Sequence, residues 1–212
     1  MSTPRKTPRQ QRSEFTFDAI LDAAARLFQQ HGYAATTTNK IAALAGVSIG
    51  TLYHYVPDKD ALLYSLAERH LRQASVALLE AAARLRAEQP PLEETVRRLV
   101  VAVTRLHTAQ PDTHRLLFDQ APRTPEGAAR LRQLEEVLAG EVEFHLRRLD
   151  VGGTDPALTA MLLVQAVEAQ IHGAVLDPPA GRTADECGRA VVDLWTRALT
   201  PPATPARPAA GS

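Results

Sequence analysis

Between Ser48 and Tyr55 lies a short predicted helix that could form hydrogen bonds from one face. Its outward side carries small or planar polar residues, namely Ser48, Gly50, Thr51, Tyr53 and His54. Leu52 and Val56 are spaced by four and would anchor the helix inward. Because glycine costs a helix roughly 1 kcal/mol relative to alanine, Gly50 indicates that another molecule approaches the backbone closely. A DNA groove wall is such a molecule.

The elements that position this helix follow from the residues before it. Apolar residues recur at helical spacing at Phe17, Ile20, Leu21, Ala24, Leu27 and Phe28. They predict an amphipathic first helix that ends at Gly32. The threonines at 36–38 can cap a second short helix, Gly46 permits a sharp turn, and Ser48 can cap the third helix. This spacing is typical of a helix-turn-helix.

A long ordered pattern runs through this segment. It consists of Gly32-Tyr33, Thr36-Thr37, Ile41-Ala42, Ala45-Gly46-Val47-Ser48, Gly50-Thr51-Leu52-Tyr53, Tyr55 and Lys59-Asp60-Ala61-Leu62. The pattern resembles the amino-terminal signature of the tetracycline repressor (TetR/AcrR) family of bacterial regulators. The match covers about the first third of the chain. Val56 departs from it, because the family more often has phenylalanine at this position.

The resemblance implies a DNA-binding role for a defined set of residues. Phosphate contacts would come from Thr38, Ser48, Tyr53, His54 and Lys59, base-edge contacts from Ile49, Gly50 and Thr51, and Thr37 belongs to the same set. Hydroxyl and amino groups hold a DNA backbone in register, and the start of a recognition helix reaches the major groove. The structural alternative is that Tyr53 and Tyr55 are core aromatics and Lys59 a solvated charge. We favour DNA for Tyr53 and Lys59 and leave Tyr55 open.

The composition and the motifs that the sequence lacks limit which other functions are possible. The chain has 24 basic and 24 acidic residues and is formally neutral, which by itself argues against a general nucleic-acid binder. Its single cysteine, Cys187, fits a reducing cytoplasm, and no apolar stretch is long and uninterrupted enough to predict a membrane span. We find no metal-ligand spacing, phosphate-binding glycine loop or nucleophile elbow. We therefore expect no metal, no cofactor, no catalytic residue and no enzymatic activity.

The expected fold class is all-α, with about nine helices and no strand signal. A three-helix head would be joined by a long fourth helix, Lys59 to about Glu88, to a helical body that includes a short helix at 116–118. We expect a basic disordered arm at 1–15, a helix-turn-helix DNA-binding domain at 16–62, an effector-binding and dimerisation domain at 63–200, and a disordered tail at 201–212. The arm could follow a DNA groove or be an idle tail.

The predicted helix from Pro156 to Leu176 is apolar nearly all round, so it needs cover on more than one side. A twofold partner is the simplest cover, and the resemblance also implies dimers. The candidate interface residues are Leu158, Leu162, Ala166, Ala169 and Gly173 on this helix and Val191, Trp195 and Ala198 on the last one. The alternative is that one chain buries the helix within itself.

The same helix carries a polar stripe of Gln165, Glu168 and His172, next to Met161. A few polar groups in an apolar cavity could orient a small-molecule effector, and His107, His114 and Phe118 are further candidates for that cavity. The stripe could equally form hydrogen bonds across a dimer or face solvent.

The leading hypothesis is a homodimeric repressor in the cytoplasm that binds a palindromic operator in double-stranded DNA. A small apolar or amphipathic effector would release it by favouring a state that does not bind DNA. The alternatives are a constitutive dimeric DNA-binding protein without a ligand and an all-α enzyme whose head is incidental.

Overall fold

A computed structural model describes residues 8–108, 116–117 and 124–200. These residues form helices and no β-strand, which confirms the all-α expectation. The helices are α1 (Pro8–Ala35), α2 (Thr38–Ala45), α3 (Ile49–Tyr55), α4 (Lys59–Glu88), α5 (Leu92–Thr108), α6 (Pro125–Arg148), α7 (Pro156–Gln170) and α8 (Ala184–Leu199). A π-helical turn, Ile171–Val175, continues α7. The short helix predicted at 116–118 is represented by helical Leu116 and Leu117, and Phe118 lies outside the described residues.

The first helix is longer than predicted. It begins at Pro8, so residues 8–15, expected to be disordered, are helical here. Proline is tolerated in a first helical turn, and extending a helix costs far less than nucleating one. Gly32 interrupts the helix with a φ of 77°, in line with the predicted break. Residues 1–7 and the predicted tail at 201–212 lie outside the described residues.

The chain divides into two compact units, and the first holds the head. Its core is formed by the apolar face of α1 with residues of the next three helices. The fully enclosed members include Ile20, Ala24, Ile41, Leu52, Leu62 and Leu63. Leu52 and Val56 are both buried, as their spacing predicted. Helix α3 therefore has one face in the core of this unit.

The second unit has its own apolar core, built from α5, α6, α7 and α8. Its buried residues include Val100, Leu146, Leu163, Val167, Ile171 and Val191. The segment Pro156–Val175 is long and apolar enough to cross a membrane by length and composition alone. Its buried residues pack in the core of the second unit. A helix in the core of a helical protein meets the same criteria of length and composition.

Candidate nucleic-acid interface

The turn between α2 and α3 has a defined geometry. Thr37 caps α2 by accepting a hydrogen bond from the backbone N–H of Lys40 at 3.3 Å. The helix ends at Gly46, which has φ 71° and ψ 27°, a left-handed conformation that favours glycine. The backbone N–H groups of Gly46 and Val47 donate to the last carbonyl oxygens of α2 at 3.2 and 3.0 Å. These bonds define the direction in which the chain enters α3.

Ser48 caps α3. Its Oγ accepts a hydrogen bond from the backbone N–H of Thr51 at 3.0 Å and lies 2.8 Å from Thr51 Oγ1. The cap satisfies one N–H group at the start of a seven-residue helix, which would be marginal without tertiary support. The predicted capping role of Ser48 is thus confirmed, and Thr51 is half-buried beside it.

The other face of α3 is left open by the residues that the structure describes. The exposed residues are Ser48, Ile49, Gly50, Tyr53 and His54. Tyr53 is 51% exposed and Ile49 38%. Among the described residues, a Cβ atom added to Gly50 would meet Ser48 Oγ at 3.8 Å, which is ordinary contact, and no other atom within 4 Å. Packing within the head therefore does not require a glycine at position 50.

Thr38 and Tyr53 connect the two short helices at this surface. Their hydroxyl oxygens lie 3.1 Å apart. Thr38 is half-buried at the start of α2, and Thr37 is exposed beside it. The hydrogen bond holds the phenol of Tyr53 in place at the edge of the open face.

Tyr55 packs within the head. Its ring stacks on Phe17 with the centroids 5.8 Å apart and the planes at 22°. Its hydroxyl accepts a hydrogen bond from Ser13 Oγ at 3.2 Å. Of the two interpretations left open for Tyr55, the packing role is the one these contacts support.

Lys59 has a structural role that the sequence did not indicate. Its Nζ donates to the backbone oxygens of Tyr33 and Thr36 at 2.7 and 3.1 Å and lies 4.0 Å from the centroid of the Tyr33 ring. A cation at the carboxyl end of a helix is favoured by the helix dipole. Lys59 is half-buried, so it is not simply a solvated charge, and its predicted phosphate contact stays a prediction.

Thr36 is a structural residue whose individual role was missed. It is 1% exposed, and its hydroxyl donates toward the backbone oxygens of Leu27 and Gly32 at 3.1 and 2.8 Å. The signal was its position just after the helix-ending glycine, where carbonyl groups lack helical partners. Together with Lys59 it closes the carboxyl end of α1.

In the second unit, three of the seven effector candidates come together. His107 Nε2 lies 3.0 Å from Glu168 Oε1 and 3.1 Å from His172 Nε2, and His172 Nε2 lies 3.1 Å from the same carboxylate oxygen. Gln165 is exposed and Met161 half-buried. His114 and Phe118 lie outside the described residues.

Electrostatics couple these three side chains. Burial would raise the pKa of Glu168, but hydrogen bonds from the two imidazoles outweigh it and lower the pKa to about 2. Burial would lower the pKa of His107, but the hydrogen bond to Glu168, the charge of that carboxylate and the hydrogen bond to the backbone of Val103 together raise it overall. The three ligand atoms also lie close enough to hold a metal ion. The sequence search found no metal spacing because His107 is 61 residues from Glu168.

The candidate dimer residues divide into three groups by exposure. Leu158 and Leu162 are 55% and 52% exposed, and Ala169, Gly173 and Ala198 are also exposed. Ala166 and Trp195 are half-buried, and Trp195 donates from Nε1 to Gln170 Oε1 at 3.0 Å. The assignment of Val191 to the interface is wrong, because this residue is 6% exposed and lies in the core of its own chain. Leu194 on the same helix is 46% exposed.

Comparison with known proteins gives a family match for each of two parts of the chain. Residues 20–66 match the family described as bacterial regulatory proteins, tetR family. Residues 91–198 match a family described as tetracyclin repressor-like, C-terminal domain.

Individual relatives agree with these matches. The HTH-type transcriptional repressor Rv1474c of Mycobacterium tuberculosis is 40% identical over 62 residues, 29% of this chain and 33% of that protein. An uncharacterized HTH-type transcriptional regulator of Bacillus subtilis, YhgD, is 24% identical over 72% of this chain and 80% of its own. A crystal structure of a TetR/AcrR-family regulator from Thermobifida fusca superposes with a TM-score of 0.69 at 22% identity, covering 87% of this chain and 98% of that one. This last likeness concerns the fold.

Proposed function

The chain belongs to the tetR family of bacterial regulatory proteins, and from this premise we propose that it is a homodimeric repressor acting in the cytoplasm. It binds a palindromic operator through α3 and is released by a small apolar or amphipathic effector bound in the second unit. We also propose that the protein is not an enzyme.

The observation that carries the DNA-binding proposal is the open face of α3 on a firmly capped frame. Ile49 and Tyr53 are large side chains that remain exposed, and Gly50 lets another surface approach the backbone closely. Groups at the start of a recognition helix read base edges, and hydroxyl groups nearby hold phosphates. The frame holds these groups in place, so little ordering is needed when DNA binds.

Dimerisation is supported by the exposed apolar stripe on α7. Leu158 and Leu162 are more than half exposed, and small exposed residues follow at Ala169 on the same helix and at Gly173 in the π-helical turn. Leu194 and Ala198 are exposed apolar residues on α8. Exposed apolar patches of this kind mark interaction sites, and most soluble oligomers are symmetric, with twofold dimers the commonest. Two α3 helices related by a twofold axis would read a palindrome.

Effector control is supported by the connectivity of the chain. Helix α4 contributes residues to both units, so a shift of its distal part can be passed to the head through a continuous helix. A tenfold release requires an effector that prefers the non-binding state by about 1.4 kcal/mol. By reciprocity, the effector and the DNA then weaken each other's binding.

Selection from a random pool of DNA duplexes with the full chain, followed by footprinting, tests the DNA-binding proposal. We expect an enriched palindromic site protected on two half-sites about one helical turn apart. Enrichment of an asymmetric site bound by one chain would overturn the dimeric operator. Thermal melting with a library of apolar and amphipathic compounds tests the effector. If no compound both stabilises the protein and weakens its DNA complex, the constitutive DNA-binding alternative replaces the ligand-controlled one.

A further inference from the structure

Three side chains of the second unit, His107, Glu168 and His172, converge on one point from two helices and a π-helical turn. His107 comes from α5, Glu168 from α7 and His172 from the turn at Ile171–Val175. The atoms His107 Nε2, His172 Nε2 and Glu168 Oε1 form a nearly equilateral triangle with edges of 3.0, 3.1 and 3.1 Å. Short π-helical segments inside α-helices occur frequently at functional sites.

The tautomer of His107 follows from its other nitrogen. Nδ1 lies 2.7 Å from the backbone oxygen of Val103. A carbonyl oxygen only accepts hydrogen bonds, so Nδ1 carries the proton and Nε2 of the neutral ring presents a lone pair to the triangle. Metal-binding histidines are oriented by such a bond from the second ring nitrogen.

Protons alone cannot satisfy all three edges of this triangle while the carboxylate is ionised. If both Nε2 atoms carry a proton, the edge between the two imidazoles joins two donors. If only one does, an edge between an imidazole and the carboxylate joins two acceptors. A cation bound to all three atoms removes the conflict, because each atom then directs a lone pair at the same centre.

We propose that His107, Glu168 and His172 form a binding site for a divalent first-row transition metal such as Zn²⁺. Two imidazole nitrogens and one carboxylate are a ligand set that these metals use with further positions left for water. Bonds of about 2.0–2.1 Å give ligand-to-ligand distances of roughly 3.0 Å for octahedral and 3.3 Å for tetrahedral geometry, so small movements would suffice. The proposal goes beyond the proposed function and stands without it.

Burial around the site suits a bound ion that can exchange with solvent. The side chain of His107 is 2% exposed, that of His172 18% and that of Glu168 46%. One ligand is thus held rigidly in the interior, while the carboxylate side remains open for entry.

Calorimetric titration of Zn²⁺ into untagged, metal-free full chain, without DNA, tests the site. We expect one Zn²⁺ per chain with a Kd of about 1 µM or below, release of protons on binding, and a rise of several degrees in the melting temperature at saturation. Mg²⁺ prefers all-oxygen ligands and should give no comparable binding. Co²⁺ used as a visible probe should give an absorption band that Zn²⁺ abolishes.

Matched variants assign the binding to these residues. Glu168→Gln and His172→Gln should each weaken Zn²⁺ binding at least tenfold, whereas His31→Gln, at an exposed histidine of the other unit, should leave it unchanged. Glu168 and His172 are both more exposed than His107, so replacing them avoids the folding risk of replacing that buried residue. Absence of one-to-one binding below about 100 µM Zn²⁺, or variants that both bind Zn²⁺ as tightly as the unsubstituted chain, overturns the site. Because no DNA is present, this result is independent of whether the proposed operator exists.

Discussion

The hydroxyl groups of Thr38, at the start of α2, and Tyr53, on the open face of α3, lie 3.1 Å apart. One of the two donates and the other accepts, so the accepting hydroxyl keeps its own O–H for a further partner such as a phosphate oxygen. The hydrogen bond therefore orders an exposed tyrosine before any DNA arrives. It also joins the two helices of the helix-turn-helix directly.

Tyr53→Phe should weaken operator binding about three- to tenfold, because one hydrogen bond contributes roughly 0.5–1.5 kcal/mol. Fluorescence anisotropy on the selected duplex measures the affinity, and the melting temperature should change little because the ring is half exposed. Tyr55→Phe is the matched control. The ring of Tyr55 packs on Phe17, so this variant should leave operator affinity unchanged. Equal losses in both variants would argue that the tyrosines act through the fold of the head.

Gly50→Ala should separate stability from DNA binding. An added methyl group finds only Ser48 Oγ, at 3.8 Å, so the unfolding free energy should stay the same or rise by up to about 1 kcal/mol. Operator affinity should fall at least tenfold if a groove wall approaches the backbone here. Gly140→Ala, at a helical glycine of α6 with open space around it, is the control and should not affect affinity. Undiminished binding by Gly50→Ala would remove the close approach at this position.

Lys59→Gln tests whether one side chain has both a capping and a DNA-binding role. Loss of the cation at the end of α1 should lower the unfolding free energy by about 1–2 kcal/mol, measured by urea denaturation. If Lys59 also contacts a phosphate, the slope of log affinity against log salt should become shallower by about 0.9. A variant that loses stability but keeps the full salt slope would assign Lys59 to capping alone.

Leu162→Glu should disrupt the proposed dimer. It places a carboxylate in the middle of the apolar stripe on α7, where burial against a partner would be unfavourable. We expect sedimentation or light scattering to report a monomer and operator affinity to fall at least tenfold. Val76→Glu, at an equally exposed residue of α4, is the control. If the Leu162→Glu variant remains a dimer, the interface lies elsewhere on the chain.

His145 should make the protein less stable in mild acid. Burial and the nearby charges of Arg148 and Arg86 lower its pKa to about 4, against about 6.5 in an unfolded chain. Below pH 6.5 the imidazole of His145 binds a proton in the unfolded state but stays neutral in the folded state. The free energy of unfolding should therefore fall by on the order of 3 kcal/mol between pH 6.5 and 4. Urea denaturation across this range measures the slope. His145→Gln should flatten it, and an unchanged slope would assign the acid sensitivity to other groups.

Sequence periodicity was sufficient to predict the head, since an apolar residue every three or four positions forces one helix face inward. It identified the two faces of α3, the turn glycine at position 46 and the cap at Ser48, because these features depend on residues within a few positions of each other. It also located the exposed leucines of α7. It overestimated the disorder near the amino end, where helix extension from Thr16 back to Pro8 depends on continuity with a helix already packed in the core.

Tertiary structure decided which distant residues meet. Periodicity placed Glu168 and His172 on one stripe, but only packing of α5 against α7 brings His107 beside them. Tertiary packing also places Val191 in the core of its own chain and Lys59 against the carbonyl groups that end α1. The physical reason is that local pattern specifies which side of a helix is apolar, whereas the rotation and spacing of packed helices specify which polar side chains come within hydrogen-bonding distance.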